Sequence, residues 1–83
     1  MYIGQIVCST SGHDKGCLMV VVGEQNKGLL VCDGKHRRIE KPKCKNIKHL
    51  KFLDFKLDAE QYKTNKAIRK AIFEIFKGYK EEA

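Results

Sequence analysis

The chain has 83 residues, enough for one domain but too few for a second core, and its 42% hydrophobic residues favour a folded structure over global disorder. Its 17 lysines and arginines against 10 aspartates and glutamates give a formal net charge of +7. Residues 35–51 hold eight of the basic side chains and one acidic one, so this segment carries the imbalance. A concentrated positive field is typical of proteins that bind phosphate backbones, whereas so short a chain leaves little volume for an enclosed catalytic cleft.

The sequence argues against secretion and against a membrane span. Its start lacks a charged segment followed by an apolar run, and no apolar stretch approaches the ~18 residues of a spanning helix. We therefore expect a cytoplasmic protein without a membrane partner. The four cysteines have neither the C-x-x-C spacing of a zinc site nor a matching histidine pair, so we expect reduced thiols, no metal and no cofactor. Cys8, Cys17 and Cys32 lie in apolar runs, whereas Cys44 lies among lysines and is expected to be exposed.

Residues 1–53 are rich in Val, Ile, Cys and Gly, arranged as short apolar runs separated by turn residues. This pattern predicts a meander of five strands at residues 2–8, 17–22, 29–32, 36–40 and 47–52. Asp33 and Gly34 predict a tight hairpin between the third and fourth strands, because both residues tolerate positive φ. Pro42 is expected to end the fourth strand, since proline cannot donate to a β-ladder. Five short strands joined by tight turns indicate a small barrel.

Residues 58–80 are rich in Lys, Glu and Ala, with apolar residues at helical spacing, which predicts one amphipathic helix. Thr64 or Asn65 is the expected N-cap, with Asp58 as an earlier alternative. The apolar stripe that should pack on the barrel consists of Ile68, Ile72, Ile75, Phe76 and Tyr79. The opposite face is either solvated or in contact with a second phosphate strand, and it carries Lys63, Lys66, Lys70 and Lys77. Strands and helix together are expected to form one domain over residues 1–83.

A polar loop over residues 11–16 separates the first two predicted strands. Gly12 and Gly16 allow it to turn tightly, and Asp14 is expected to fold its carboxylate back onto backbone amides. Lys15 would then project from a rigid base. His13 is expected to be an exposed loop residue that can donate to a phosphate.

This strand–loop–strand segment resembles the KOW motif, in which Gly16 matches the key glycine and residues 12–15 match the pattern before it. Residues 29–35, with the arginines at 37 and 38, are similar to KOW-bearing large-subunit ribosomal proteins of archaea and eukaryotes, and still more to short bacterial KOW-domain RNA-binding proteins. The resemblance covers about residues 3–51 and extends more loosely through residues 64–70. It departs at His13, where relatives often carry arginine. The resemblance implies an SH3-like barrel and contact with RNA, usually ribosomal RNA.

The expected fold is therefore mainly β, a small five-stranded SH3-like barrel over residues 1–53 packed against the C-terminal helix. The side chains expected to bind RNA are His13, Lys15, Lys35, His36, Arg37, Arg38, Lys41, Lys43, Lys45 and Lys48. The residues expected to shape the loops that present them are Gly12, Asp14, Gly16, Asp33 and Gly34. Aromatic residues are scarce in the strand region, so we expect recognition of RNA shape and backbone rather than of base sequence.

The sequence holds no nucleophile–histidine–acid set, no paired carboxylates in an apolar context and no nucleotide-type phosphate loop, so we do not expect an enzyme. The clustered positive charge and the resemblance together favour a non-catalytic RNA-binding domain, and the resemblance implies an association with translation. This RNA-binding hypothesis predicts that the 12–16 loop shares one surface with five basic residues: Lys15, Lys35, Arg37, Lys43 and Lys45. A second hypothesis is a protein-interaction module like the KOW domains of transcription elongation factors, with the helix contacting ribosomal or other proteins. It predicts an exposed apolar patch. A third, a cysteine-bound metal protein, predicts converging thiols.

Overall fold

The computed structural model describes the backbone of residues 2–82 and the side chains of residues 2–78. The elements are β1 (Gln5–Ser9), β2 (Leu18–Gln25), β3 (Gly28–Cys32), β4 (Lys43–Asn46), β5 (Leu50–Lys56) and α1 (Asn65–Glu82). Single 3-10 turns occupy Gly12–Asp14 and Ile47–His49. The prediction of a mainly β fold with five strands and one C-terminal helix is confirmed. In the described part of the chain, no helix is both long enough and apolar enough to span a bilayer.

The five strands form one antiparallel sheet in the order β4-β3-β2-β1-β5. In a flat sheet, four strand spacings would separate β4 from β5 by about 19 Å. The chain between Asn46 and Leu50 is a 3-10 turn that spans only about 8 Å. The sheet must therefore be strongly rolled to bring its two edges close together. The barrel is not closed, because no ladder joins β4 to β5 among the described residues.

Successive side chains of each strand point to opposite faces of the sheet, so the core consists of two clusters, one on each face. The cluster inside the roll contains Val7, Met19, Val21, Leu29, Val31 and Leu50. The cluster between the sheet and the helix contains Ile6, Val20, Cys32, Leu57 and Ile68. Neighbouring residues such as Ile6 and Val7 point to opposite faces and both are fully buried. The strands that carry these pairs are consequently fixed from both sides.

The predicted fourth strand at residues 36–40 is wrong. Those residues belong to a loop over residues 33–42, and the fourth strand instead begins at Lys43, after Pro42. Side chains occupy backbone donors that a strand would need: Asp33 Oδ1 accepts from the Lys35 and Arg37 amides, and a side chain of α1 accepts from the Ile39 amide. Gly34 has a φ of 78°, as its expected turn role requires, but the connection is ten residues long rather than a tight hairpin.

The helix begins at Asn65, not at residue 58. Thr64 caps it, because its hydroxyl oxygen accepts from the Ala67 amide at 3.1 Å. Asp58 forms a separate turn with Gln61, in which each side chain accepts from the other residue's amide.

The apolar stripe of α1 packs on the sheet over its first three turns. Ile68 is fully buried, and Ile72 and Ile75 pack against the same cluster. Phe76 was expected in this stripe, yet 45% of its surface is exposed. The predicted member Tyr79 lies outside the residues whose side chains are described.

Candidate nucleic-acid interface

The loop between β1 and β2 turns where the sequence predicts. Gly12 and Gly16 have φ values of 75° and 86°, in the left-handed region that glycine adopts without strain. Backbone bonds close the loop on itself, from the Lys15 amide to the Gly12 carbonyl and from the Gly16 amide to the Ser9 carbonyl. The side chains of His13 and Lys15 are exposed on this base.

Asp14 organises the loop differently from the expectation that it would bind backbone amides. Its Oδ2 atom lies 3.2 Å from Arg37 Nη2 and 3.7 Å from Lys45 Nζ. Arg37 Nε also donates to the same oxygen at 3.3 Å. The carboxylate is nearly buried, so solvent screens these pairs less than it would screen pairs on an open surface. Asp14 thus joins the β1–β2 loop to the 33–42 loop and to β4.

Two of the cations expected to bind RNA therefore also hold the structure together. The Lys45 side chain is 9% exposed and donates to the Ser11 carbonyl in addition to pairing with Asp14. The Arg37 side chain is less buried than that of Lys45, with 32% of its surface exposed. Sequence spacing gave no sign of these pairs, because their partners lie in a different loop.

The 33–42 loop is fixed to the start of α1 by two residues that the sequence analysis did not place in the site. Asn65 is buried; its Oδ1 accepts from the Ile39 amide at 2.7 Å, and its Nδ2 donates to both carboxylate oxygens of Glu40. Arg69 Nη1 donates to the Gly34 carbonyl at 2.7 Å. The sequence signals at these positions were the expected N-cap at Thr64 or Asn65 and the looser resemblance through residues 64–70, and neither predicts a contact with the 33–42 loop.

Glu40 is the single acidic residue of the basic segment 35–51, and its carboxylate contacts Asn65 and Arg38. The Asn65 amide holds the pKa of Glu40 below its ordinary value, with smaller contributions from Glu40's own backbone and from Arg38. Arg38 Nε lies 3.4 Å from a Glu40 oxygen, with both side chains more than half exposed. Such an exposed pair contributes little to stability, so Arg38 can exchange this partner for another anion at small cost.

A shallow concavity of about 410 Å³, which we call the basic groove, is formed by the 33–42 loop and the first residue of β4. It is lined by His36, Arg37, Arg38, Lys41, Pro42 and Lys43. Lys41 and Lys43 are exposed and have no ion-pair partner within the described residues. Five of the ten side chains expected to bind RNA thus surround one concave surface.

None of the remaining expected residues lines the basic groove. Lys35 lines a neighbouring groove together with Gly16, and His36 lines both grooves, so the two form a continuous surface. Lys48 lies on the 3-10 turn at the opposite end of β4 and lines neither groove. The 12–16 loop, the 33–42 loop and the start of β4 are therefore brought together, while Lys48 lies apart.

The four cysteines are all free. Burial raises the pKa of the Cys32 thiol to about 11, and burial followed by the Asp14 charge raises that of Cys17. Cys44 is exposed, as expected. Among the residues that the structure describes, no group of three or more His, Cys, Asp or Glu side chains lies close enough to hold a metal ion.

Neither a scan against models of protein families nor a search of curated proteins found a significant match to this chain. The resemblance to KOW domains therefore rests on the motif residues of the segment 3–51 and on the looser similarity through residues 64–70.

Proposed function

We propose that this protein is a non-catalytic RNA-binding domain that contacts the backbone phosphates of structured RNA through the basic groove. The observation that carries the proposal is the convergence of His36, Arg37, Arg38, Lys41 and Lys43 on one concave surface. Phosphate oxygens are the ligands that such a set of cations suits best. The resemblance to KOW proteins supports a ribosomal or other translation-associated RNA as the partner in the cytoplasm.

The groove is supported by contacts that exist without a ligand. Asp33, Asp14, Asn65 and Arg69 fix the 33–42 loop through both its backbone and its side chains. A preorganised loop loses less conformational entropy on binding than a mobile one, so more of the contact energy contributes to affinity. The cations that remain exposed can therefore meet phosphates at positions set by the fold.

Salt dependence is the first test of this proposal. If about five phosphates are neutralised, the logarithm of the association constant should fall with the logarithm of salt concentration at a slope of about −4 to −5. Fluorescence anisotropy of a labelled structured RNA, titrated at several salt concentrations, measures this slope directly.

A pair of matched charge reversals locates the site. Lys41→Glu with Lys43→Glu reverses two exposed cations of the basic groove that make no ion pair in the described structure, so the fold should be retained. Lys27→Glu with Lys56→Glu makes the same change in net charge at the β2–β3 turn and the end of β5. The first variant should bind RNA much more weakly and with a shallower salt slope, and the second should bind nearly as the wild type does. Equal weakening by both variants would mean that net charge, not the groove, governs binding.

A protein-interaction module is the second candidate, and exposed apolar side chains favour it. Phe73 and Phe76 are exposed on α1, and Tyr2, Ile3 and Phe55 are exposed in and beside the β1–β5 edge of the sheet. A protein partner held by these side chains would bind with little salt dependence and without loss of affinity in the groove variant.

A further inference from the structure

The groove next to the basic groove combines features that the phosphate-binding proposal does not use. We call it the aromatic groove; it has a volume of about 390 Å³, within the range of pockets that hold small ligands. Its apolar lining is Cys17, Leu18, Ile72, Phe73 and Phe76. Its polar lining is Asp33, Lys35, His36 and Arg69, together with Gly16 of the β1–β2 loop.

Phe73 is the side chain whose position is hardest to explain by folding alone. It is 62% exposed, the highest fraction among the exposed large apolar residues, although a polar residue at this helix position would cost the core nothing. Phe76 lies one turn further along α1, so both rings face the same side of the helix. The Phe73 ring, beside an open groove, offers flat apolar surface to a planar ligand.

The charges around the rings indicate the ligand's chemistry. Lys35 and His36 are exposed at the rim, and Arg69 keeps guanidinium donors beyond the one that it gives to Gly34. The carboxylate of Asp33 is already engaged by the Lys35 and Arg37 amides, with the His36 ring at 3.8 Å. The rim therefore favours an anionic ligand, whereas a second copy of this chain, with its net charge of +7, would bring like charges together.

We propose that the aromatic groove receives an unpaired nucleobase of the bound RNA, stacked on Phe73, while Lys35 and Arg69 contact the phosphates beside it. This inference rests on the proposed function and extends it, because His36 lines both grooves and an RNA held in the basic groove reaches the aromatic groove along one surface. Bases stack on aromatic side chains with little regard to sequence. The preferred RNA is then a helix flanked by unpaired nucleotides, as at a bulge, loop or overhang.

The test compares two RNAs: a blunt-ended duplex, and the same duplex extended by a short run of unpaired adenosines. We expect the wild type to bind the extended RNA more tightly. Phe73→Ala should remove that preference by weakening binding of the extended RNA roughly 5- to 100-fold, while leaving binding of the blunt duplex unchanged. Phe73→Tyr keeps a ring and should keep the preference. Phe55→Ala removes an exposed ring on β5 and is the matched control, with no effect on either RNA.

Stacking itself can be followed with 2-aminopurine in place of one unpaired adenosine. Its fluorescence should change when the wild type or Phe73→Tyr binds, and not when Phe73→Ala binds. Circular dichroism checks the fold of Phe73→Ala, which we expect to be retained because the ring is exposed and alanine favours the helix.

The remaining outcomes separate this inference from the function on which it rests. Equal affinity of the wild type for both RNAs would overturn the inference, and the proposed function would stand if the Lys41 and Lys43 reversals still weakened both complexes. Two results for Phe73→Ala would overturn the inference by assigning the groove to another contact. A loss of affinity for both RNAs would indicate contact with the duplex, and a change from oligomer to monomer in sedimentation would indicate contact between protein chains. Absence of salt-dependent binding to either RNA would reject the proposed function itself.

Discussion

The carboxylate of Asp14 and the guanidinium of Arg37 lie 3.2 Å apart, although β2 and β3 separate their loops along the chain. Lys45 completes the cluster from β4, 3.7 Å from the same oxygen. One acidic residue thus holds two of the basic residues that the sequence alone assigns to RNA. Some basic side chains of residues 35–51 therefore stabilise the fold, and others remain exposed to solvent.

The first prediction concerns that internal role. Asp14→Asn removes the negative charge and leaves the nearly buried ammonium of Lys45 without its anion, so the variant should lose about 1–3 kcal/mol of unfolding free energy. Urea denaturation followed by circular dichroism measures the loss. Asp54→Asn, which changes an exposed residue of β5, is the control and should change stability by less than about 0.5 kcal/mol. Equal effects of the two substitutions would show that the Asp14 pairs do not stabilise the fold.

The second prediction concerns the contact between the 33–42 loop and the helix. A Cβ atom added at Gly34 would lie 2.5 Å from the Asn65 carbonyl oxygen, at a φ of 78° that alanine disfavours. Gly34→Ala should therefore destabilise the protein by roughly 1–3 kcal/mol and weaken RNA binding, because the loop must shift away from α1.

Gly78→Ala is the matched control for this substitution. Gly78 lies within α1, and a Cβ there meets nothing within 4 Å. Alanine should stabilise the helix by roughly 0.5–1 kcal/mol and leave binding unchanged. Thermal unfolding of the two variants should consequently move in opposite directions. A stabilised Gly34→Ala would contradict the observed loop position.

The third prediction follows from the pKa of Glu40. The Asn65 amide lowers this pKa, so the interaction stabilises the folded state above the pKa of the unfolded chain and is lost as pH falls through the folded value. In Asn65→Ala the Glu40 pKa should rise towards its ordinary value, which NMR titration of the Glu40 side chain can follow. The wild type should also lose more of its stability than the variant between neutral and acidic pH. An unchanged Glu40 pKa in Asn65→Ala would contradict this assignment.

The fourth prediction concerns the order in which the thiols react. Cys44 is exposed, whereas Cys32 is buried and its pKa is raised to about 11 by burial. A thiolate-directed reagent should modify Cys44 first and Cys32 only when the protein unfolds, because the reaction needs both access and the ionised form. Mass spectrometry of peptides from partly modified protein measures the order. Early modification of Cys32 in the folded protein would show that the strand–helix interface opens readily.

The sequence was most informative where structure depends on neighbours along the chain. Apolar runs located β1, β2 and β3 to within a few residues, and helical spacing located α1. The glycines of the 12–16 loop were correctly expected at turns, because a positive φ is a property of single residues. The failure at residues 36–40 has a partly long-range cause: Asp33 binds two amides locally, but the Ile39 amide is bound by Asn65, which is 26 residues away.

In the candidate site, too, the sequence predicts what depends on neighbouring residues and fails where distant residues come into contact. Its residue types and approximate location followed from charge, but the roles of individual cations did not. Lys45 looks like its neighbour Lys43 in the sequence, and only the folded position of Asp14 makes one nearly buried and leaves the other exposed. The sequence does not reveal the aromatic groove, because helical spacing assigns Phe76 to the core and gives Phe73 no role. The exposure of these rings depends on how the helix is rotated against the sheet.

The attachment of the 33–42 loop to α1 has a consequence for synthesis. All five strands are complete by Lys56, yet Asn65 and Arg69, which hold the loop, come later in the chain. During translation the loop can therefore reach its folded conformation only after the start of the helix has left the ribosomal tunnel. A nascent chain that has made every strand would still lack the contacts that fix this loop, and with them the finished surface that we propose binds RNA.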